Sequence, residues 1–132
     1  MKTKTLILML LLTGSSVLYS QSTEPITPGP HGGTVKATEG YCIEMLSPGG
    51  ILNAFLLDKC WNPMDNKEMM CEVRYLFPDG KETTLKLVRL GKDGFRTEEA
   101  IGQYSSCLLT FELKSREVSV RFNNEEALLG MK

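Results

Sequence analysis

Histidine is nearly absent from this chain, and its scarcity excludes much of the chemistry that small domains carry. His31 is the single histidine among 132 residues. A zinc hydrolase site built on several imidazoles is therefore excluded, and no serine lies in a G-x-S-x-G elbow. The adjacent pairs Glu98-Glu99 and Glu125-Glu126 would point to opposite faces of a strand, which does not suit paired acid–base catalysis. We expect a protein that is not an enzyme.

The sequence also lacks a strong charge of one sign and a second long apolar run. It has 15 basic and 16 acidic residues, a formal net charge of −1. Such a balance gives no electrostatic footprint for nucleic acid or for an anionic membrane. No apolar run beyond the N-terminal region reaches the ~20 residues that a membrane-spanning helix needs. We therefore expect no nucleic-acid partner and no membrane span in the mature chain.

The N-terminal residues follow the order basic, apolar, then small and polar. Lys2 and Lys4 precede an unbroken apolar run from Leu6 to Leu12, and small residues follow up to Ser20. This order is typical of a secretory signal peptide. We predict a signal peptide over residues 1–20, a flexible leader over 21–30, a folded domain over 31–123 and a frayed tail over 124–132. The domain would then be periplasmic or secreted.

Short runs with period-two alternation, separated by turn residues, occupy the folded part of the chain. In the run 41–46, Tyr41, Ile43 and Met45 share one face, while Cys42 and Glu44 share the other. Longer runs cover 69–77 and 81–90, joined by a Pro-Asp-Gly turn, and a last hairpin covers 107–122. With no helix-period segment, this pattern predicts an all-β, immunoglobulin-like β-sandwich of seven to eight short antiparallel strands.

The four cysteines lie within the predicted domain, and none of their spacings is C-x-x-C. A thioredoxin-like redox motif and a zinc ribbon are therefore excluded. An even count in a short exported chain favours disulfides, although two bridges, one bridge and four reduced thiols all stay open. Cys71 and Cys107 each lie on the strand face that carries the apolar residues. We therefore predict that both face inward and form the first candidate pair. Cys42 and Cys60 are the second candidate pair.

His31 stands in the segment Pro30-His31-Gly32-Gly33, where proline stiffens the backbone and two glycines let it bend. One interpretation is an exposed histidine in a leader turn. The other is a metal ligand, because neutral imidazole is the commonest one. Soft sulfur donors are also frequent in the chain, and they suit Cu(I). Met45 belongs to this set, but it shares a strand face with Tyr41 and Ile43, so it could equally fill the core.

Three segments of the chain together resemble the sequences of a known protein family. They are residues 30–35, with the His-Gly-Gly turn; residues 40–45, with Tyr-Cys-Ile-Glu; and residues 56–63, with Leu-Leu-Asp and Asn-Pro. With the Pro-Asp-Gly turn, they resemble small exported bacterial proteins encoded beside copper and heavy-metal efflux systems. A similar segment occurs in periplasmic adaptor subunits of tripartite efflux pumps.

The resemblance implies that His31 and Glu44 face a metal, with Met45 or Cys42 as additional ligands. Copper is the implied ion, and components of a metal-efflux system are the implied partners. Because the connection 36–40 is short, we predict that the first two strands are antiparallel neighbours and that His31 lies near Glu44. The alternative is a structural or protein-interaction module of the periplasm or cell surface, which binds a protein through a strand edge.

Overall fold

A computed structural model describes residues 27–124, and within that range the chain forms nine β-strands and one short 3₁₀ turn, Pro48–Gly50. The strands are β1 Thr34–Thr38, β2 Tyr41–Leu46, β3 Asn53–Asp58, β4 Met70–Leu76, β5 Glu82–Lys86, β6 Val88–Leu90, β7 Gly94–Arg96, β8 Ser106–Glu112 and β9 Glu117–Asn123. The predicted signal peptide, most of the predicted leader and nearly all of the predicted tail lie outside the described residues. No helix within residues 27–124 is long and apolar enough to cross a membrane.

The strands form two antiparallel sheets, which confirms the predicted all-β sandwich. One sheet has the order β1-β2-β3-β7-β6, and the other has the order β5-β4-β8-β9. The count exceeds the expected seven to eight because the run 81–90, predicted as one strand, divides at Leu87. Leu87 is buried, and its N–H donates to the carbonyl of Cys71 at 2.9 Å. The chain crosses there from the four-stranded sheet to the five-stranded sheet.

Period-two alternation places the large apolar side chains between the sheets, as the sequence predicts. Ile43 and Met45 from β2 meet Val73 and Tyr75 from β4 and Phe111 from β8 in one buried cluster. Full burial of each such side chain contributes about 1.5–3 kcal/mol. A second, smaller cluster lies on the opposite face of the five-stranded sheet and contains Cys42, Phe55 and Leu57. That outer face carries the candidate functional site.

The predicted disulfides are wrong, because all four cysteines are free. Cys71 and Cys107 do face inward, with exposed fractions of 4% and 0%. However, β4 and β8 are neighbours in one sheet, and their register sets Cys71 opposite Phe111 and Cys107 opposite Tyr75. The two cysteines are therefore four residues apart along the pair, about 13 Å, which exceeds the reach of a disulfide. Burial raises the pKa of the Cys71 thiol, so the thiol stays protonated.

The second candidate pair does not form a bridge either. Cys42 is buried in the outer cluster, directly opposite Leu57 in the β2–β3 register. Cys60 lies three residues farther along the chain, in the exposed turn that follows β3. The backbone turns away there, with Trp61 at a φ of 69°, and the Cys60 N–H donates to Asp58 Oδ1 at 2.9 Å. The sandwich is therefore stabilised by core packing and by the hydrogen bonds of its sheets, without a disulfide bridge among these four cysteines.

Candidate functional site

A glutamate side chain is fully buried on the outer face of the five-stranded sheet. Glu44 in β2 has an exposed fraction of 0%. Its cross-strand neighbours are Val35 in β1 and Phe55 in β3, both apolar. A carboxyl group in such surroundings costs several kcal/mol unless hydrogen bonds compensate for the lost water. The residues that supply those bonds define the site.

The turn 29–33, immediately before β1, folds over this carboxyl group and supplies its partners. The N–H groups of His31 and Gly33 each donate to Glu44 Oε2 at 2.8 Å. The ring atom Nδ1 of His31 lies 2.6 Å from Glu44 Oε1. The turn closes on itself because the Gly29 N–H donates to the Gly33 carbonyl at 2.8 Å. Glu44 thereby anchors the N-terminal segment to the sheet.

The His31 imidazole is held on three sides. Its ring stacks on Phe55, with centroids 3.6 Å apart and planes 8° from parallel. Its outer nitrogen, Nε2, lies 3.0 Å from Oδ2 of Asp93, in the turn between β6 and β7. The His31 side chain is 26% exposed and that of Asp93 is 35% exposed. One end of the imidazole therefore meets a buried carboxyl group, and the other end meets a carboxyl group that water can reach.

The two carboxyl groups determine the protonation behaviour of His31. Partial burial of the ring, taken alone, would lower its pKa. The hydrogen bonds to Glu44 and Asp93, together with the attraction of both negative charges, outweigh this desolvation and raise the pKa of His31 above its usual value. The two carboxyl groups therefore stabilise the protonated form of His31.

The structure brings His31 and Glu44 together and separates Met45 from them. Met45 follows Glu44 in β2, so its side chain points to the opposite face, where its Sδ lies 3.7 Å from Cys107 Sγ in the core. Cys42 shares the face of Glu44 but packs with Leu57 and Phe55. Within residues 27–124 no group of three or more His, Cys, Asp or Glu side chains is arranged to hold one metal ion. Met45 as a ligand is therefore corrected to a core residue.

Two residues of the site, Asp93 and Phe55, are not indicated by the sequence patterns. Asp93 is separated from His31 by 62 positions and meets it only because β7 pairs with β3. Phe55 lies on the outer face of β3, where an aromatic residue gives no sign that it will stack on a histidine. The one available signal is the motif Lys92-Asp93-Gly94, a turn whose carboxyl group lies beside a glycine.

Gly94 permits the close approach on which the stacked pair depends. A Cβ atom at this position would lie 2.5 Å from Cε2 of Phe55. We expect Gly94→Ala to displace the Phe55 ring and lower the free energy of unfolding by about 1–3 kcal/mol. Urea unfolding checks this, with Gly102→Ala as the control, because a Cβ there would meet nothing within 4 Å. Equal stabilities of the two variants would contradict the contact.

Comparison of the chain with protein-family models, with curated proteins and with solved structures gave no match. The resemblance to exported proteins of metal-efflux systems therefore stays a prediction. The features of the site are a histidine oriented by a buried glutamate, an aspartate at the outer ring nitrogen, and an opening to solvent at that end.

Proposed function

We propose that this protein is an exported, non-enzymatic metal-binding domain that takes up a divalent transition-metal ion, with copper the best fit. His31 Nε2 and the Asp93 carboxyl group are the proposed ligands from the described residues. The observation that carries the proposal is the 3.0 Å separation of Nε2 from Asp93 Oδ2, while Glu44 holds the other ring nitrogen. A role beside a metal-efflux system is the context that this proposal suggests.

In this proposal Glu44 orients the His31 ring and does not itself bind the metal, whereas the resemblance implies that Glu44 faces the metal. Both of its oxygens accept hydrogen bonds, Oε1 from the ring and Oε2 from two backbone N–H groups. A metal-binding histidine almost always donates its second ring N–H to a carboxylate or carbonyl, which fixes the tautomer. With Nδ1 protonated toward Glu44, the lone pair of neutral His31 is on Nε2.

The spacing at the outer nitrogen suits two ligands of one ion. Imidazole and carboxylate ligands bind divalent ions at about 2.0–2.2 Å, so two adjacent donors at the angle of about 90° of a tetragonal Cu(II) ion lie about 3 Å apart. Above the pKa of His31, the Nε2 lone pair would face the Asp93 carboxylate with no positive charge between them. A metal ion bound between them relieves this repulsion, and below the pKa of His31 its uptake displaces the Nε2 proton.

The donor types favour a divalent ion. Nitrogen and oxygen donors suit Cu(II), Zn(II) and Ni(II), and Cu(II) binds most tightly in the Irving–Williams order. The sulfur of Met45, which would favour Cu(I), is in the core. With two ligands from the described residues, water or a partner molecule would complete the coordination of the ion.

Titration of the purified protein with Cu(II) and Zn(II) by calorimetry tests the proposal. We expect Cu(II) to bind more tightly than Zn(II), and the affinity to fall as the pH is lowered, because the proton competes for Nε2. Asp93→Asn and His31→Gln should each weaken binding at least about tenfold, and Glu44→Gln should weaken it about 10–100-fold through the orientation of the ring.

Met45→Leu is the matched control, because Met45 is buried in the core on the other face of β2. It should leave the affinity for Cu(II) unchanged. The Asp93 side chain is partly exposed and lies in a turn, so Asp93→Asn should fold normally even if His31→Gln is less stable. Unchanged Cu(II) affinity in both Asp93→Asn and His31→Gln would contradict the proposed site.

A further inference from the structure

Each sheet has two edge strands: β1 and β6 in one, β5 and β9 in the other. Of these, β5 is the longest whose outer edge is not covered by another element among residues 27–124. In the five-stranded sheet, β6 has only three residues. On the other side of the sandwich, β1 and β9 lie against each other, and Lys36 Nζ donates to the carbonyl of Arg121 at 2.8 Å. Four of the five residues of β5 are exposed, Leu85 being the exception. A long open edge offers backbone groups that can pair with another strand.

The backbone groups that point away from the sheet belong to three alternate residues of β5. The Leu87 N–H and the Lys81 carbonyl both bond to the β4 side of the sheet. In antiparallel pairing the N–H and C=O of one residue point the same way, and the direction alternates along the strand. Glu82, Thr84 and Lys86 therefore direct their N–H and C=O groups toward the open edge. Their side chains share the outer face of the sandwich, because Thr83 and Leu85 pair with core residues of β4.

The charges of β5 match those of a second, antiparallel copy of the same strand. When two copies of β5 pair around a two-fold axis at Thr84, Glu82 of one copy lies opposite Lys86 of the other, and Lys86 lies opposite Glu82. Each facing pair consists of residues whose backbone groups point outward, so two hydrogen bonds form at each, about six in all. Opposite charges directly across a sheet contribute about 0.2–1 kcal/mol per pair. Glu82 already pairs with Arg74 of its own chain at 3.6 Å, and Lys86 of the second copy adds a further positive charge beside it. Charges usually protect an edge strand, but in this register they attract.

We infer that the β5 edge is a self-association surface, through which two copies of this chain join their four-stranded sheets into one sheet of eight strands. The inference does not depend on the proposed metal site, which lies on the outer face of the other sheet. The occupant is a second copy because its edge supplies both the hydrogen-bonding register and the reversed charge order. The pairing of two five-residue strands buries less area than a standard protein interface, so the dimer should be weak.

Sedimentation of the purified protein from about 10 μM to about 1 mM tests this, in a reductant that keeps the exposed Cys60 from cross-linking copies. We expect a reversible monomer–dimer equilibrium. Thr84→Pro removes an outward N–H without removing a bond within the sheet, so the monomer should fold. It should raise the dimer dissociation constant at least about tenfold, since two of the hydrogen bonds are lost.

A charge-swap series separates this interface from any other. Glu82→Lys and Lys86→Glu each place like charges opposite one another, and each should weaken the dimer at least about threefold. The double variant Glu82→Lys/Lys86→Glu restores opposite charges between the copies and should recover part of the association, because position 82 then loses its ion pair with Arg74 of the same chain. A protein that stays monomeric at about 1 mM would overturn the inference, as would a dimer that Thr84→Pro leaves unchanged.

Discussion

Glu44→Leu is expected to lower the free energy of unfolding by about 4 kcal/mol, because it leaves three donors without an acceptor. Those donors are the N–H groups of His31 and Gly33 and the His31 ring. The leucine would fill much of the space, so the loss reports the hydrogen bonds more than a cavity. Since small domains are stable by only about 5–15 kcal/mol, the variant should be close to unfolding at 37 °C.

Glu44→Gln is the matched control for this change. Its amide oxygen can still accept the two backbone N–H groups, and its NH₂ group can reach His31 Nδ1 when that atom is unprotonated. We expect it to lose about half as much stability as the leucine variant, measured by urea unfolding at pH 7. If both variants unfold within about 0.5 kcal/mol of the wild type, Glu44 does not anchor the N-terminal turn.

The stability that His31 contributes should depend on pH. Its pKa is raised in the folded state, so the protonated imidazole favours folding. The contribution is fully present below the unfolded pKa of about 6.5 and is lost as the pH rises through the higher folded pKa. We therefore expect the wild type to exceed His31→Gln by at least about 1.5 kcal/mol at pH 5.5, and the difference to shrink by pH 8.

Urea unfolding of the wild type and His31→Gln between pH 5.5 and pH 8 checks this window. Carboxyl groups and thiols with ordinary pKa values titrate mainly outside it. The difference between the two proteins also cancels the titration of groups that they share. A stability difference that is constant with pH, or that grows toward pH 8, would contradict the arrangement of His31 between two carboxyl groups.

The sequence predicts local features of this fold well, because each depends on neighbouring residues. The alternation in 41–46 correctly places Glu44 on one face of β2 and Met45 on the other. The same alternation already argues against Met45 and Glu44 as joint ligands, since adjacent strand residues point apart. The short connection before β2 correctly predicts the antiparallel pair of β1 and β2. His31 lies close to Glu44 for this reason.

Features that depend on distant strands could not be predicted in this way. Parity shows that Cys71 and Cys107 face inward, but only the β4–β8 register shows that they are too far apart for a bridge. Asp93 joins the site through the pairing of β3 with β7, which no local pattern specifies. The crossing at Leu87 is hidden as well, because an apolar residue that keeps the period of a strand gives no sign of a change of sheet.

The most direct test of the site is the titration of His31 itself, followed by nuclear magnetic resonance. The chain has one histidine, so its imidazole signals need no assignment by mutation. We expect the pKa of His31 to exceed 6.5 in the wild type and to fall in both Glu44→Gln and Asp93→Asn. Glu117→Gln, in β9 of the other sheet, should leave it unchanged. A wild-type His31 that titrates with its ordinary pKa, unaffected by either site variant, would contradict the account.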